Sequence, residues 1–153
     1  MGKGNLCAMS DISSGSISID APVAAVSAIL FDIEKYPTWS TSIKSAEVLT
    51  KDDQGRVLAA KLSIDAGMMR DRVSLDYDWS QAPDRLSFSL SDADLLTGMD
   101  GAYVIEAEDA DTTKVTYELT VSLSMPIPAM MRTKAEKTTI DQALSQLKAF
   151  AEK

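Results

Sequence analysis

The sequence predicts an α+β fold: a seven-stranded curved antiparallel sheet wrapped around a long C-terminal helix, with one or two short helices between strands one and two. Three observations lead there. From about Ile43 to Met125 apolar residues recur with period two, and turn-forming clusters break the run at intervals that suit a meander. Beyond Pro126-Ile127-Pro128 a helical stretch continues to near Glu152, the only one long enough to cover a sheet. The remaining helical matter is confined between strands one and two, so the terminal helix is the element left to fill the concave side.

Strand one is Gly15-Ser16-Ile17-Ser18-Ile19-Asp20, which alternates small or polar with apolar residues. Asp20-Ala21-Pro22 then supplies an N-cap and a first-turn proline. The helix they open keeps Val23, Val26, Ile29, Leu30 and Ile33 at helical spacing. It stops at Tyr36-Pro37, because a residue before proline avoids the α region. Thr38-Trp39-Ser40 leads into strand two, about Ile43 to Leu49, and Asp52-Asp53-Gln54-Gly55 makes the first hairpin turn. Strand three puts Leu58, Ala60, Leu62 and Ile64 on one face.

After Gly67, strand four sets Met69, Val73, Leu75, Tyr77 and Trp79 against Arg70, Arg72, Ser74, Asp76 and Asp78, the pattern of a sheet with one wet face. Ala82-Pro83-Asp84 is the next turn, and strand five carries Leu86, Phe88 and Leu90 inward. Strand six, about Leu95 to Glu106, contains Gly98 and Gly101, a mark of a bulge or bend in a strongly curved sheet. Asp109-Ala110-Asp111 closes that hairpin. Strand seven alternates most cleanly, with Val115, Tyr117, Leu119, Val121, Leu123 and Met125 on one side.

At 153 residues the chain fits one domain, read as a disordered tail over 1–11 and a folded domain over 12–153. A hydrophobic share of 45% with 25% charged residues is ordinary for a soluble globular protein. The net charge of -8 opposes nucleic acid as a partner and disfavours anionic membrane surfaces. The first nine residues hold no apolar run that could serve as a signal peptide, and no stretch is long enough to span a bilayer. Cys7 stands alone, so no intramolecular disulfide can form and a reducing cytoplasm is the simplest location. Histidine is absent, which removes Ser-His-Asp triads, Cys-His pairs and His-containing metal sites. The pairs Asp52/Asp53, Asp92/Asp94 and Asp109/Asp111 fall at turns and lack calcium-loop spacing. No metal or cofactor is expected.

The order of elements resembles the START-like (SRPBCC) helix-grip superfamily, in particular its polyketide cyclase/dehydrase and lipid-transport branch. The residues that carry the resemblance are Ile19-Asp20-Ala21-Pro22, Tyr36-Pro37-Thr38-Trp39 with Ser45-Ala46-Glu47-Val48-Leu49, Gly98 to Tyr103, and Thr113 to Leu119. The resemblance implies a cavity between the sheet and the C-terminal helix, suited to an apolar or aromatic small molecule.

On that expectation the sheet contributes Met69, Asp71, Leu75, Tyr77, Phe88, Thr97, Met99, Tyr103 and Tyr117 to a ligand site. The helix contributes Met130, Thr133 and Lys137 or Glu136 from its first half, while Ile140, Ala143, Leu144, Leu147 and Phe150 lock its second half onto the sheet. The other reading of the first half is that its turns project past the sheet into solvent. Asp71 also has two readings: a strand-end carboxylate in water, or a cavity residue paired with Lys137 or a ligand hydroxyl. The leading function is binding or transport of an apolar small molecule (lipid, isoprenoid or polyketide-like aromatic). Burying about 300 Å² of apolar ligand surface would contribute roughly 7 kcal/mol before association costs, which allows micromolar affinity at best without further polar contacts, and an interior too small for a ligand would sink the reading. An aromatase/cyclase or dehydratase using Asp71, Tyr77, Tyr103 or Tyr117 as acid or base is the alternative. A protein-interaction module of the ribosome-association-toxin type is the third. The oligomeric state is not legible in the sequence.

Overall fold

The computed structural model describes residues 12–65, 70–123 and 127–153. The expectations for the tail and for Met69 and Met125 lie outside those residues. The elements run β1 (Ser13–Ile19), α1 (Val23–Phe31), a 3-10 segment (Ile33–Thr38), β2 (Ile43–Lys51), β3 (Val57–Asp65), β4 (Arg70–Asp78), β5 (Arg85–Ala93), β6 (Leu96–Ala107), β7 (Thr113–Leu123) and α2 (Ala129–Ala151). The strands form one antiparallel sheet in the order β1-β7-β6-β5-β4-β3-β2. Thus β2 to β7 is a meander, and β1 joins its far edge beside β7.

The helical region departs from expectation in two details. Pro22, not Asp20, occupies the N-cap of α1, and Asp20 instead gives its backbone N–H to Glu152. Pro37 does not end the helical matter; it sits inside the 3-10 segment, where one missing donor is tolerated because α1 has already ended at Phe31.

The expected inward faces hold for β4 and β7, where Val73, Leu75, Tyr77, Trp79, Val115, Tyr117, Leu119 and Val121 are all buried. Strand β3 differs at its start, since Leu58 is exposed and Val57 is buried. The register between β2 and β3 shifts around Thr50 and Lys51, which turns Val57 inward beneath Trp79. The Trp79 indole N–H donates to the Val57 carbonyl at 2.7 Å. A second irregularity, between Leu96 and Gly98, buries Leu96 and Met99 and turns Thr97 out.

Helix α2 packs along β1 and β7. Its Ile140, Leu144 and Leu147 are buried, and Ala143 and Phe150 pack against that core. The approach to β1 is close: a Cβ on Gly15 would lie 2.9 Å from Ile140 Cγ2, so only glycine lets the helix sit this low. The first turns of α2 do project into solvent. Met130 is 82% exposed, and Thr133 is also exposed, which excludes both from the inner surface.

Candidate functional site

An apolar space lies where the inner face of the sheet meets α2 and the chain between the 3-10 segment and β2. Its sheet wall is built by the alternation of β4, β5, β6 and β7, which delivers Leu75, Tyr77, Phe88, Met99, Tyr103 and Tyr117 to one surface. Strand β3 adds Leu62 and Ile64, and α2 closes the space with Thr139 and Ala143. Tyr36 of the 3-10 segment, with Ser40, Ser42 and Ile43, forms the remaining side.

The chain has four tyrosines, and all four border this space. Tyr103 and Tyr117 stack with centroids 4.3 Å apart and planes inclined by 18°. Phe88 lies tilted against both Tyr77, at 6.1 Å, and Tyr117, at 6.5 Å. Its ring also covers Gly101, where a Cβ would meet Phe88 Cζ at 2.5 Å. The glycine therefore makes room for the aromatic cluster. Tyr36 donates its hydroxyl to the Leu30 carbonyl and meets Trp39 edge to face at 5.2 Å.

Burial sets the electrostatics of these phenols. It pushes Tyr36, Tyr77 and Tyr103 well above the ordinary value, with the neighbouring phenols adding to the rise. Tyr117 is pushed up to about 12 by burial, partly offset by its hydroxyl interaction with Tyr103. All four are therefore neutral hydrogen-bonding groups at neutral pH, not bases.

Beside this space, polar contacts tie α2 to the loop entering β2. Gln146 accepts from the Thr41 N–H at 3.0 Å and donates to Thr41 Oγ1 at 2.7 Å. Ser42 Oγ donates to Gln142 Oε1 at 3.3 Å. The volume of the space is about 50 Å³, room for a few water molecules. Pockets that hold drug-sized ligands measure roughly 300 to 1,000 Å³. The ligand-sized cavity expected from the sequence is thus not formed in this conformation.

Six of the sequence-derived site residues come together here: Leu75, Tyr77, Phe88, Met99, Tyr103 and Tyr117. Asp71 does not. It is buried at the far end of β4, where its carboxylate accepts the backbone N–H groups of Arg72, Asp94, Leu95 and Leu96 and so fixes the β5–β6 turn. Thr97, Met130 and Thr133 face solvent, and Lys137 lies outside, donating to the Ser14 carbonyl at 2.9 Å with Asp141 at 3.7 Å. Met69 is outside the described residues. Of the pair Glu136 or Lys137, it is Glu136 that turns inward, 1% exposed. It accepts from Ser13 Oγ and the Val121 N–H, both at 2.7 Å, and Arg132 stands 3.5 Å away.

The sequence reading missed Tyr36, Ser40, Ser42, Ile43, Leu62, Ile64, Thr139 and Ala143 as lining residues. Tyr36 carries a usable signal, an aromatic beside a proline in a segment that bears the family resemblance, yet its spacing alone marks a helix end and not a cavity wall. Thr139 and Ala143 lie one to two turns later on α2 than the expected wall.

A curved antiparallel sheet gripping a C-terminal helix over an aromatic-lined space defines a START-like helix-grip protein. The chain belongs to the polyketide cyclase/dehydrase and lipid transport family, whose model matches residues 19–148. No curated protein matches the sequence significantly. Among solved structures, a START superfamily protein from Mycobacterium smegmatis superposes with a TM-score of 0.87 at 21% identity, over 92% of this chain and 97% of that one. The Zhui aromatase/cyclase from a Streptomyces strain gives 0.73 at 14% identity, over 92% and 93%. A conserved protein from Geobacillus kaustophilus gives 0.75 at 15%, over 92% and 94%. At these identities the likeness establishes the fold. No helix among the described residues is long and apolar enough to cross a membrane.

Proposed function

We propose that the protein reversibly binds an apolar small molecule between the inner face of the sheet and α2, in a space that enlarges when the clasp of Thr41 and Ser42 with Gln142 and Gln146 opens. The observation that carries this reading is the convergence of all four tyrosines with Phe88 and Met99 on one internal surface, closed on its open side by small residues and exposed-edge hydrogen bonds. A purely structural core has no need to gather every phenol of the chain at one point. The family and its fold are compatible with apolar-ligand binding, and one solved neighbour is an aromatase/cyclase.

Acid–base catalysis gains less support. The phenols stay neutral at neutral pH, and Asp71 is committed to four backbone N–H groups away from the space. Binding alone is therefore the proposal. Native mass spectrometry of protein purified under mild conditions, followed by solvent extraction, tests it. An apolar molecule is expected to copurify and to be lost when Ala143→Phe fills the space. A protein that carries no such molecule, and whose cavity amide signals do not move on titration with small aromatic compounds, overturns it.

A further inference from the structure

Away from the inner space, α1, the 3-10 segment and the last turns of α2 border a surface groove of about 340 Å³. That is within the range of pockets that hold small ligands. Its apolar lining is Ala28, Ile29, Trp39 and Phe150, and its polar lining is Asp32, Lys35 and Thr38. Thr38 is committed, since its hydroxyl donates to the Lys35 carbonyl at 2.6 Å. Asp32 and Lys35 are exposed, and among the described residues neither holds a salt bridge. A further cation, Lys153, stands with its ammonium 5.8 Å from the centroid of the Phe150 ring.

The indole of Trp39 distinguishes this groove. Of the two tryptophans in the chain, Trp79 donates its N–H to the Val57 carbonyl, whereas the N–H of Trp39, a residue only 6% exposed, has no partner. The other buried polar side-chain atom without a partner among the described residues is Ser27 Oγ on α1. A helical serine can turn its hydroxyl to a carbonyl of its own helix, but an indole N–H is a fixed donor that needs an acceptor brought to it. A buried donor left unpaired is a standing cost that a ligand oxygen removes. We infer that this groove is a second binding site, for a small aromatic carboxylate. The ring lies against Ile29, Trp39 and Phe150, one carboxylate oxygen accepts from Trp39 Nε1, and Lys35 supplies the opposite charge. The N–H is closed to water as the groove stands, so engagement moves the exposed rim at Lys35 and Thr38 aside. Asp32 opposes the anion and limits its affinity. The site is separate from the inner space and does not depend on what that space binds.

Phenylacetate, 2-phenylethanol and phenethylamine carry one ring with a negative, neutral and positive head. Each is titrated at pH 7 into the intact protein while the two indole N–H resonances are followed by NMR. Phenylacetate is expected to move the Trp39 signal, to leave that of Trp79 in place, and to bind about tenfold more tightly than phenethylamine. Asp32→Asn should tighten phenylacetate binding and Lys35→Gln should weaken it, each severalfold, in variants whose thermal unfolding is unchanged. Ala143→Phe, which fills the inner space, should leave it as it was. Phenylacetate that does not move the Trp39 signal overturns the inference, as does phenethylamine binding equally well or an affinity indifferent to both rim variants. Loss of phenylacetate binding in a folded Ala143→Phe protein also overturns it, because the ligand then sits in the inner space, and the binding reading proposed above is strengthened instead.

Discussion

Asp71 and Glu136 are both buried carboxylates, and each is held by backbone or hydroxyl donors instead of by a ligand. Asp71 substitutes for a missing turn, gathering the N–H groups of Asp94, Leu95 and Leu96 where β5 gives way to β6. Truncating it to alanine strands those donors in a buried setting, and hydrogen bonds to a charged acceptor contribute about 1.5 to 3 kcal/mol. Asp71→Ala should therefore lower unfolding stability by about 2 to 3 kcal/mol in urea titrations while leaving ligand affinity unchanged. A lost ligand affinity in a stably folded variant would return Asp71 to the site. Glu136 acts one step further out. The described pairing of β1 with β7 ends at Ser13 and Leu119, and beyond it the Glu136 carboxylate takes the Val121 N–H. Glu136→Ala removes that acceptor and the partner of Ser13 together. A loss of about 2 to 4 kcal/mol is expected, with faster amide exchange at Val121 as the local signature. Uniform exchange across the sheet would contradict the local role.

Helix α2 shows where periodicity stops being informative. Its second half was legible because Ile140, Leu144 and Leu147 are apolar and spaced for one face, and they are buried. In the first half, Met130 and Met131 look like a wall to any apolar count, yet both are exposed because the helix descends onto β1 only near Gly15. The choice between Glu136 and Lys137 could not be made from spacing, since both lie within a helical step of Ile140. A hydrophobicity argument favours the lysine stem; the donors of Ser13 and Val121, which decide for Glu136, are visible only once β1 and β7 are side by side. The clasp to the β2 loop was equally hidden, because Gln142 and Gln146 pair with Thr41 and Ser42 across about a hundred residues of chain. These contacts are partly solvent-exposed, so each contributes little to stability. The double change Gln142→Ala with Gln146→Ala is expected to cost about 1 kcal/mol or less, yet to raise the association rate of a cavity ligand severalfold in stopped-flow measurements. An unchanged rate would show that entry does not pass between α2 and this loop.

At the scale of the whole molecule, the sheet, its order and its grip on α2 follow from alternation and turn chemistry, whereas the size of the enclosed space does not. Alternation places Tyr77, Tyr103 and Tyr117 on the inner face, but how far their rings fill that face depends on stacking and on the sheet's curvature at Gly101. The result is a molecule whose tyrosines are all interior, and this gives its stability a defined alkaline limit. An unfolded chain ionises tyrosine near 10, while in the folded protein Tyr117 is held up to about 12 and the other three are also raised, chiefly by burial. The folded state thus keeps its phenolic protons longer than the unfolded state. Their contribution is fully present below about pH 10 and is lost as the pH climbs through 10 toward 12, Tyr117 alone accounting for about 2 to 3 kcal/mol. Tyrosinate absorbance and far-ultraviolet circular dichroism should therefore change together in one steep alkaline transition, with no tyrosine ionising ahead of unfolding. A phenol that titrates near pH 10 in a protein still showing its native sheet signal would mean that the cavity already stands open to water.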